Sequence, residues 1–578
     1  MMTRNSVRPS TPREDVRLTF PDGLVMSGPR GASLEDFVLA WQAEANAQDR
    51  TVTAVLVEGE LLPLSYVPLS DATVVPLDLT NADGMRVYRR SLTLTLVAAA
   101  QRLFPGSRLN VDHSVTANGF YCTLRGHEPI SEEGLARLEQ ETRRLVEADL
   151  PITARTMPLA EALALFERLG YADTVALLRT YHATTVEVHE LEGAYGAFFG
   201  VLVPRTGYLT RFRLQKEDDG FLLLFPVMEN PRQFPEDTHF PKLTAQFRTT
   251  ARWLRAIGAE NAGSLNMAIE RRRFRELVLV AEALHERRIA TIAQTISALE
   301  DVRIVFIAGP TSSGKTTFAK RLGIQLAASG IRSFAVAMDD YFVERAATPL
   351  AEDGTFDFEA FEAVDHELFQ EHMLSLLRGE RVRMPRYDFV SGVRVPGPEV
   401  ALPQGTVLLV EGLHGLNPRL LPDAPPEALY RIYVSCLTQL NLDHHNYIST
   451  SDARLLRRLV RDARSRGYSA EATILRWQSV RRGERRFIFP YQELADVHFN
   501  SSLPYEIAVL KPLAEPLLLP YDHMSPVAIE VRRLLGMLAL FLPADAGTVP
   551  DNSLLREFIG GSIMENVRLA ASDSLRDL

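Results

Sequence analysis

The sequence predicts an α/β chain: a C-terminal domain on a parallel sheet, preceded by a small β-rich unit and an α+β unit. Three observations predict it. From residue 302 onward, continuous apolar strands alternate with helical stretches, which implies a sheet covered on both faces. Residues 16–79 instead hold short apolar segments around one helix, and residues 85–235 hold helices followed by strand-like stretches. The third observation is bulk. The 578 residues, 46% apolar and 24% charged, have the proportions of folded material and room for about four domains.

In the first unit the strands are VRLTF (16–20), TAVLVEG (53–59) and VVPLDL (74–79). Its helix opens at SLEDFVLAWQAEA, where Ser33 and Asp36 have the spacing of a capping pair. In the second unit, helices are expected near 91–103, 131–149 and 158–169, and strands at 184–189, 208–215 and 221–228. Residues 238–300 read as mostly helical. Their basic start, Arg271 to Arg273 plus Arg275, reads either as a nucleic-acid contact or, because Glu270, Glu276, Glu282 and Glu286 are interleaved with it, as the favoured solvated helix face. The last region supplies VRIVFIAG (302–309), SFAVAMD (333–339), TVLLVEG (406–412) and YRIYVSC (430–436) as buried strands.

Composition excludes several classes. A net charge of −10 gives no general pull toward nucleic acid or anionic membrane. Two cysteines, Cys122 and Cys436, cannot build a disulfide framework or a multi-cysteine metal site. His444, His445, His498 and His523 lack regular metal spacing. The stretch MMTRNSVRPSTPRED has no apolar core for a leader, and LTLTLVAAA (92–100) is too short to span a bilayer. A soluble, cytoplasmic chain with no membrane partner is expected.

The strongest motif is GPTSSGKT. Gly309, Pro310, Thr311, Ser312, Ser313, Gly314, Lys315 and Thr316 match the phosphate-loop pattern between a buried strand and a helix that continues through Thr317. Glycines let the backbone wrap with its N–H groups inward, Lys315 reaches the β- and γ-phosphates, and the Thr316 hydroxyl suits Mg2+. The ligand is a nucleoside triphosphate. Asp339 and Glu411 end apolar strands, where ligands of open parallel sheets bind. Glu411 suits Mg2+ or its water shell, and Asp339 either Mg2+ or an incoming hydroxyl. Asp340 is expected to point elsewhere. In SDARLLRRLVRDARSRG, Arg454, Arg457 or Arg458, and Arg461 share a helical face, and Arg464 and Arg466 follow, as in a lid over a triphosphate. The RRGERR run (481–486) reads either as surface or as phosphate side. In the insertion between these motifs, Asp357, Tyr387, Asp388 and Phe389 either line a pocket for a small ring-bearing acceptor or form loop core, and Arg457 is placed with the substrate-binding set.

At AGPTSSGKTTFAKRL, MDDYF, MPRYDF, LLVEGLHGLNP, RLLRRLVRD, FIFPYQELADVHFNS and LREFIGGS the chain resembles bacterial uridine kinase–like proteins. In these, a phosphoribulokinase/uridine kinase domain follows a segment similar to the front of threonyl-tRNA synthetase. The resemblance implies a TGS-like domain at 14–80, an editing-like domain at 81–237, a helical connector at 238–298 and a P-loop kinase domain at 299–578. It implies ATP, Mg2+ and a nucleoside-sized hydroxyl acceptor, with Asp339 as base, Lys315, Arg461 and Arg466 at the transferring phosphate, and Asp357 and Tyr387 at the acceptor. It also makes tRNA or ribosome contact through the front domains conceivable. Two departures concern the acceptor. The family's histidine after YDF is replaced by Val390-Ser391-Gly392-Val393-Arg394, and the lid's Arg-Gly-Arg reads Arg466-Gly467-Tyr468. A nucleoside acceptor without sharp preference for uridine is therefore expected, with Gly392 leaving space for a larger base. In the editing-like part, carried by RRSLTLTLVAAAQRLFPGSRLNVDHSVTANGFYC, Arg90, Ser91 and Leu94 stand where a paired-histidine metal site begins. Of a later cysteine–histidine pair only His189 remains, so editing chemistry is not expected, and His113 and His189 are read as structural.

Overall fold

The computed structural model describes residues 13–567 except 116–117, 237–238, 352–353, 390 and 523. Val390, His523 and most of the first fifteen residues, which entered the sequence reading, lie outside the described residues. Residues 15–78 form a five-stranded mixed sheet in the order Val25–Pro29, Asp15–Thr19, Ala72–Asp78, Val52–Val57, Glu60–Leu62. Helix Leu34–Glu44 crosses it. Its N-terminus is closed by the Ser33–Asp36 box, each side chain accepting from the other's backbone N–H. The two short strands 25–29 and 60–62 carry mostly exposed or half-buried residues, and so gave no apolar signal.

The next unit begins with helix Ala82–Leu103, earlier than the apolar pattern suggested, because Asn81 caps it by accepting from the N–H groups of Asp83 and Gly84. It packs on a four-stranded antiparallel sheet and a three-stranded one. Here Arg90 runs inward and donates to the Val201 carbonyl at 2.8 Å. Gly200 makes room for it: a β-carbon there would lie 2.7 Å from the guanidinium. His189 is buried with Nε2 3.2 Å from Glu187. His113 is stacked on Phe247 at 3.6 Å, against the helix Pro241–Ala256 of the following segment.

That segment continues as helices Ala262–Glu270 and Phe274–Ser297, interrupted where Arg272 adopts φ +59°. The last helix lies against the helix of the phosphate loop. The C-terminal sheet has five parallel strands in the order Ser333–Ala337, Val407–Gly412, Ile304–Ala308, Leu429–Ser435, Val497–Asn500. Alternation along its central strand sends Ile304 and Phe306 into one buried cluster and Val305 and Ile307 into the other, as a doubly covered sheet requires. The fifth strand, and the hairpin Val382–Asp388/Val393–Val400 in the insertion, add to what the sequence suggested. Among the described residues no helix is long and apolar enough to cross a membrane.

The segment after Leu429–Ser435 joins the parts. The Asn441 side-chain amide donates to the Val111 and Asp112 carbonyls, both at 2.9 Å, and the Asn441 backbone carbonyl accepts from the Ala262 N–H. Val111 in turn donates to the His444 carbonyl at 2.8 Å, and His444 pairs with Asp173. Leu440, Leu442 and Ile448 share one core with Leu177, Ala259 and Leu265.

Candidate active site

The loop at 309–316 leaves the central strand where its two neighbours, 407–412 and 429–435, diverge in chain order, the crevice in which open parallel sheets bind ligands. Gly309 is required by close approach, since a β-carbon would lie 1.9 Å from the Val434 carbonyl oxygen. Gly314, at φ +87°, turns the backbone into helix Lys315–Ala328. Lys315 folds over the loop, donating to the Gly309 and Pro310 carbonyls at 2.9 and 3.2 Å. The Ser312 and Ser313 hydroxyls are buried without a partner among the described residues.

Two carboxylates flank the loop. Thr316 donates its hydroxyl to Glu411, 2.9 and 3.0 Å from the two oxygens. Burial pushes the Glu411 carboxyl up to about 7, opposed by Lys315, raised further by the charges of Asp339 and Glu557, and opposed by the Thr316 bond. Asp339 lies in the single turn after strand 333–337 and is open to the cleft. Desolvation in that concave setting raises its carboxyl above the usual range, Lys315 and Arg466 pull it down, and Asp340 adds to the rise. Asp340 instead accepts from the Tyr387 N–H at 3.2 Å. A hydroxyl and one or two carboxylates beside a phosphate loop are hard oxygen donors that fit Mg2+, which keeps several waters and takes phosphate oxygens for the rest. No set of three or more His, Cys, Asp or Glu that could hold a metal occurs among the described residues.

Helix Thr450–Ser465 sets the arginines. Arg454 donates to the Thr311 carbonyl at 2.9 Å and pairs with buried Glu484, which holds the helix to the loop. Glu484 comes from RRGERR, so that run is mixed: Gly483 and Glu484 are buried while Arg482, Arg485 and Arg486 are exposed. Asp462, 1% exposed, gathers Arg458, Arg461 and Arg466 at 3.2, 2.9 and 3.7 Å. Arg466 is half-exposed and is the one whose charge acts on Asp339.

Arg457 corrects the sequence expectation. It is fully buried, pairs with Glu506, donates to the Ser501 carbonyl at 2.8 Å and lies over the Phe558 ring. Its guanidinium is held among interior groups, which include the Ser312 carbonyl of the phosphate loop at 3.5 Å. Arg458, one residue on, is the arginine whose charge acts on Glu359.

The insertion closes the other side. Tyr387 is 4% exposed and makes edge contacts with Phe342 and Phe389, while Phe389 is 58% exposed. The Tyr387 hydroxyl has no partner among the described residues. Asp357 is half-buried, and one of its oxygens accepts from the Glu359 N–H at 3.1 Å. Glu359 was not foreseen. Its carboxyl is pushed up to about 8, by burial first and the Glu484 charge next, with Arg458 and Lys315 opposing. One of its oxygens is buried and unpartnered among the described residues. The room expected at Gly392 is also corrected, because Arg345 fills it: a β-carbon on Gly392 would lie 2.8 Å from that guanidinium. Arg345 also donates to the Phe389 carbonyl at 2.7 Å.

Comparison with known proteins matches two parts of the chain. Its N-terminal region matches threonine–tRNA ligases. Threonine–tRNA ligase 1 of Bacillus subtilis is 29% identical over 200 residues, covering 34% of this chain and 30% of that one. The ligase of a Geobacter species is 27% identical over 201 residues, 35% of this chain and 31% of the other. The chain thus spans about a third or less of the length of the curated relatives it matches. A solved structure described as a possible uridine kinase from Bacillus stearothermophilus is 20% identical, covering 37% of this chain and 98% of that one with a TM-score of 0.26. Residues 304–507 match the Phosphoribulokinase / Uridine kinase family. That match runs from the strand that feeds the phosphate loop to the start of the helix after Tyr505.

Proposed function

We propose that the chain is an ATP- and Mg2+-dependent kinase that phosphorylates a hydroxyl of a nucleoside-like acceptor. The observation that carries this reading is the pairing of a phosphate loop with a second, insertion-built wall across Asp339. A hydrolytic switch needs no such wall. Lys315 and the loop amides hold the triphosphate, and Thr316 and Glu411 would hold Mg2+, which would neutralise phosphate charge. The acceptor oxygen attacks the γ-phosphorus, the bond to the β–γ bridging oxygen breaks, and Asp339 takes the hydroxyl proton. Arg461 and Arg466 offset charge on the moving phosphoryl group. Asp357, Tyr387, Phe389 and Glu359 form the acceptor side.

The test is a transfer screen of the whole protein against nucleosides and small sugars, with Lys315→Ala alongside. Wild-type transfer should fall about 100-fold or more in the variant; equal transfer by both would refute the site. Between uridine, cytidine, adenosine and guanosine we expect kcat/KM to differ by less than about 100-fold, since one lost hydrogen bond to a base edge is worth about 1–3 kcal/mol.

The match to threonine–tRNA ligases favours a second reading for the front. We read 14–80 as TGS-like, 81–237 as editing-like and 238–298 as a helical connector, with RNA as their partner. Arg90, lodged where the metal-site pattern would begin, supports an editing-like part without hydrolytic activity. Metal-dependent deacylation of mischarged tRNA by the whole protein would overturn that.

A further inference from the structure

The C-terminal segment, beyond the family domain, returns to the phosphate loop. Arg556 folds it, donating to the carbonyls of Ala546, Val549, Pro550 and Gly560 at 3.1, 2.5, 3.4 and 3.2 Å. The short helix Arg556–Ile559 then lies on the arginine helix, with Arg464 donating to the Glu557 and Phe558 carbonyls, both at 3.3 Å. Lys320, on the loop helix, donates to the Met564 carbonyl at 2.7 Å. Leu554 packs over Gly314, 3.6 Å from where a β-carbon would sit.

This segment delivers one carboxylate. Glu557 Oε2 accepts from the Thr317 N–H at 3.1 Å and from the Thr317 hydroxyl at 2.8 Å. Thr317 is the third residue of helix Lys315–Ala328, so its N–H is one of the helix's free amides. Those amides, at the positive end of the helix dipole, are what a phosphate loop offers to nucleotide phosphates. Glu557 thus puts protein negative charge on an anion position of the nucleotide site, and its charge is felt at Glu411 next door.

We propose that residues 550–567 are a built-in competitor of nucleotide. Glu557 holds the Thr317 anion position and releases it when a nucleotide phosphate takes the same N–H and hydroxyl. The inference rests on the nucleotide-binding reading given under the proposed function. Its physical content is an affinity set below what the loop alone would give. The Arg464 contacts tie release of the segment to the arginine helix, so filling the loop and freeing that helix happen together.

The test is calorimetric titration of the whole wild-type protein, Glu557→Ala and Glu557→Gln with Mg·ADP. It is combined with hydrogen exchange of the wild type with and without the nucleotide. We expect Glu557→Ala to bind about 3- to 10-fold tighter, and Glu557→Gln, which keeps the shape but not the charge, to fall between it and the wild type. Amides of 554–562 should exchange faster in the presence of Mg·ADP. Equal or weaker binding by both variants would overturn the proposal, as would unchanged or slowed exchange of 554–562. Should the alanine variant not fold, the glutamine variant and the exchange data decide alone. Absence of Mg·ADP binding by the wild type would instead remove the nucleotide reading, and the competitor with it.

Discussion

Asp339 and Asp340 are chain neighbours whose carboxylates meet different surroundings, one across from Lys315 and Arg466, the other on the Tyr387 backbone. Asp339→Asn should fold and bind ATP yet lose most acceptor-dependent turnover, because an amide cannot take the proton. Asp340→Asn should lose less, and the reverse order in a kcat comparison would exchange their roles. Glu411 allows a test that needs no acceptor. Its carboxyl, pushed up to about 7, keeps a proton in the folded chain where an unfolded glutamate, near about 4.3, has lost it. Over that window the native state binds more protons, so this group makes stability fall as pH rises. Glu411→Gln removes the slope. Its melting temperature should gain on the wild type between pH 5 and pH 8, and a gap that stays constant would refute the assignment. The loop residues and both strand-end acids were legible because their signal is local, a fixed spacing beside an apolar strand. Glu359 was not, since what makes it unusual is tertiary. Gly483, on another helix, leaves its backbone bare so that Glu359 can enter, a β-carbon there falling 2.3 Å from that of Glu359.

The helix Thr450–Ser465 shows what periodicity can and cannot decide. Its amphipathic pattern gave the element and its arginine stripe. Arg457 and Arg458, one step of about 100° apart, could not be told apart by pattern alone. The structure buries the first and leaves the second at the cleft edge. Their substitutions should separate accordingly. Arg457→Met strands the buried Glu506 carboxylate and should cost about 3–5 kcal/mol of stability. Adding Glu506→Gln should recover part of the lost melting temperature. Arg466→Ala, at a half-exposed site, should stay within about 0.5 kcal/mol in stability and still lower kcat. A double variant no more stable than Arg457→Met would dismiss the pair. The same logic explains the strands. Those at 304–308, 407–412 and 429–435 are covered on both faces and read as apolar runs. The edge strand Val497–Asn500 is short and carries His498 and Asn500. The hairpin at 382–400 is interrupted by Pro385, Pro396 and Pro398. Neither offers a period to find.

At the scale of the whole molecule, the front and the C-terminal segment meet through buried polar groups. Asn266 is fully buried, donating to the Thr180 hydroxyl at 2.7 Å and the Leu540 carbonyl at 2.8 Å, and accepting from the Leu542 N–H at 2.9 Å. Asn266→Ala leaves those partners unmet, each worth about 1–3 kcal/mol when buried. Its expected effect is a lower melting temperature and earlier proteolytic cleavage between front and back; an unchanged cleavage pattern would show the contact to be dispensable. The path of residues 437–448 has a consequence for inheritance. That stretch follows a strand of the parallel sheet, yet its Asn441 is bonded to strand 108–115, and its Leu440 and Leu442 lie in a core shared with residues 177–281. A gene split near residue 299 would strip the back half of partners for its own loop. Once such an interlock has formed, neither half can be traded away singly, and the pair descends as one unit.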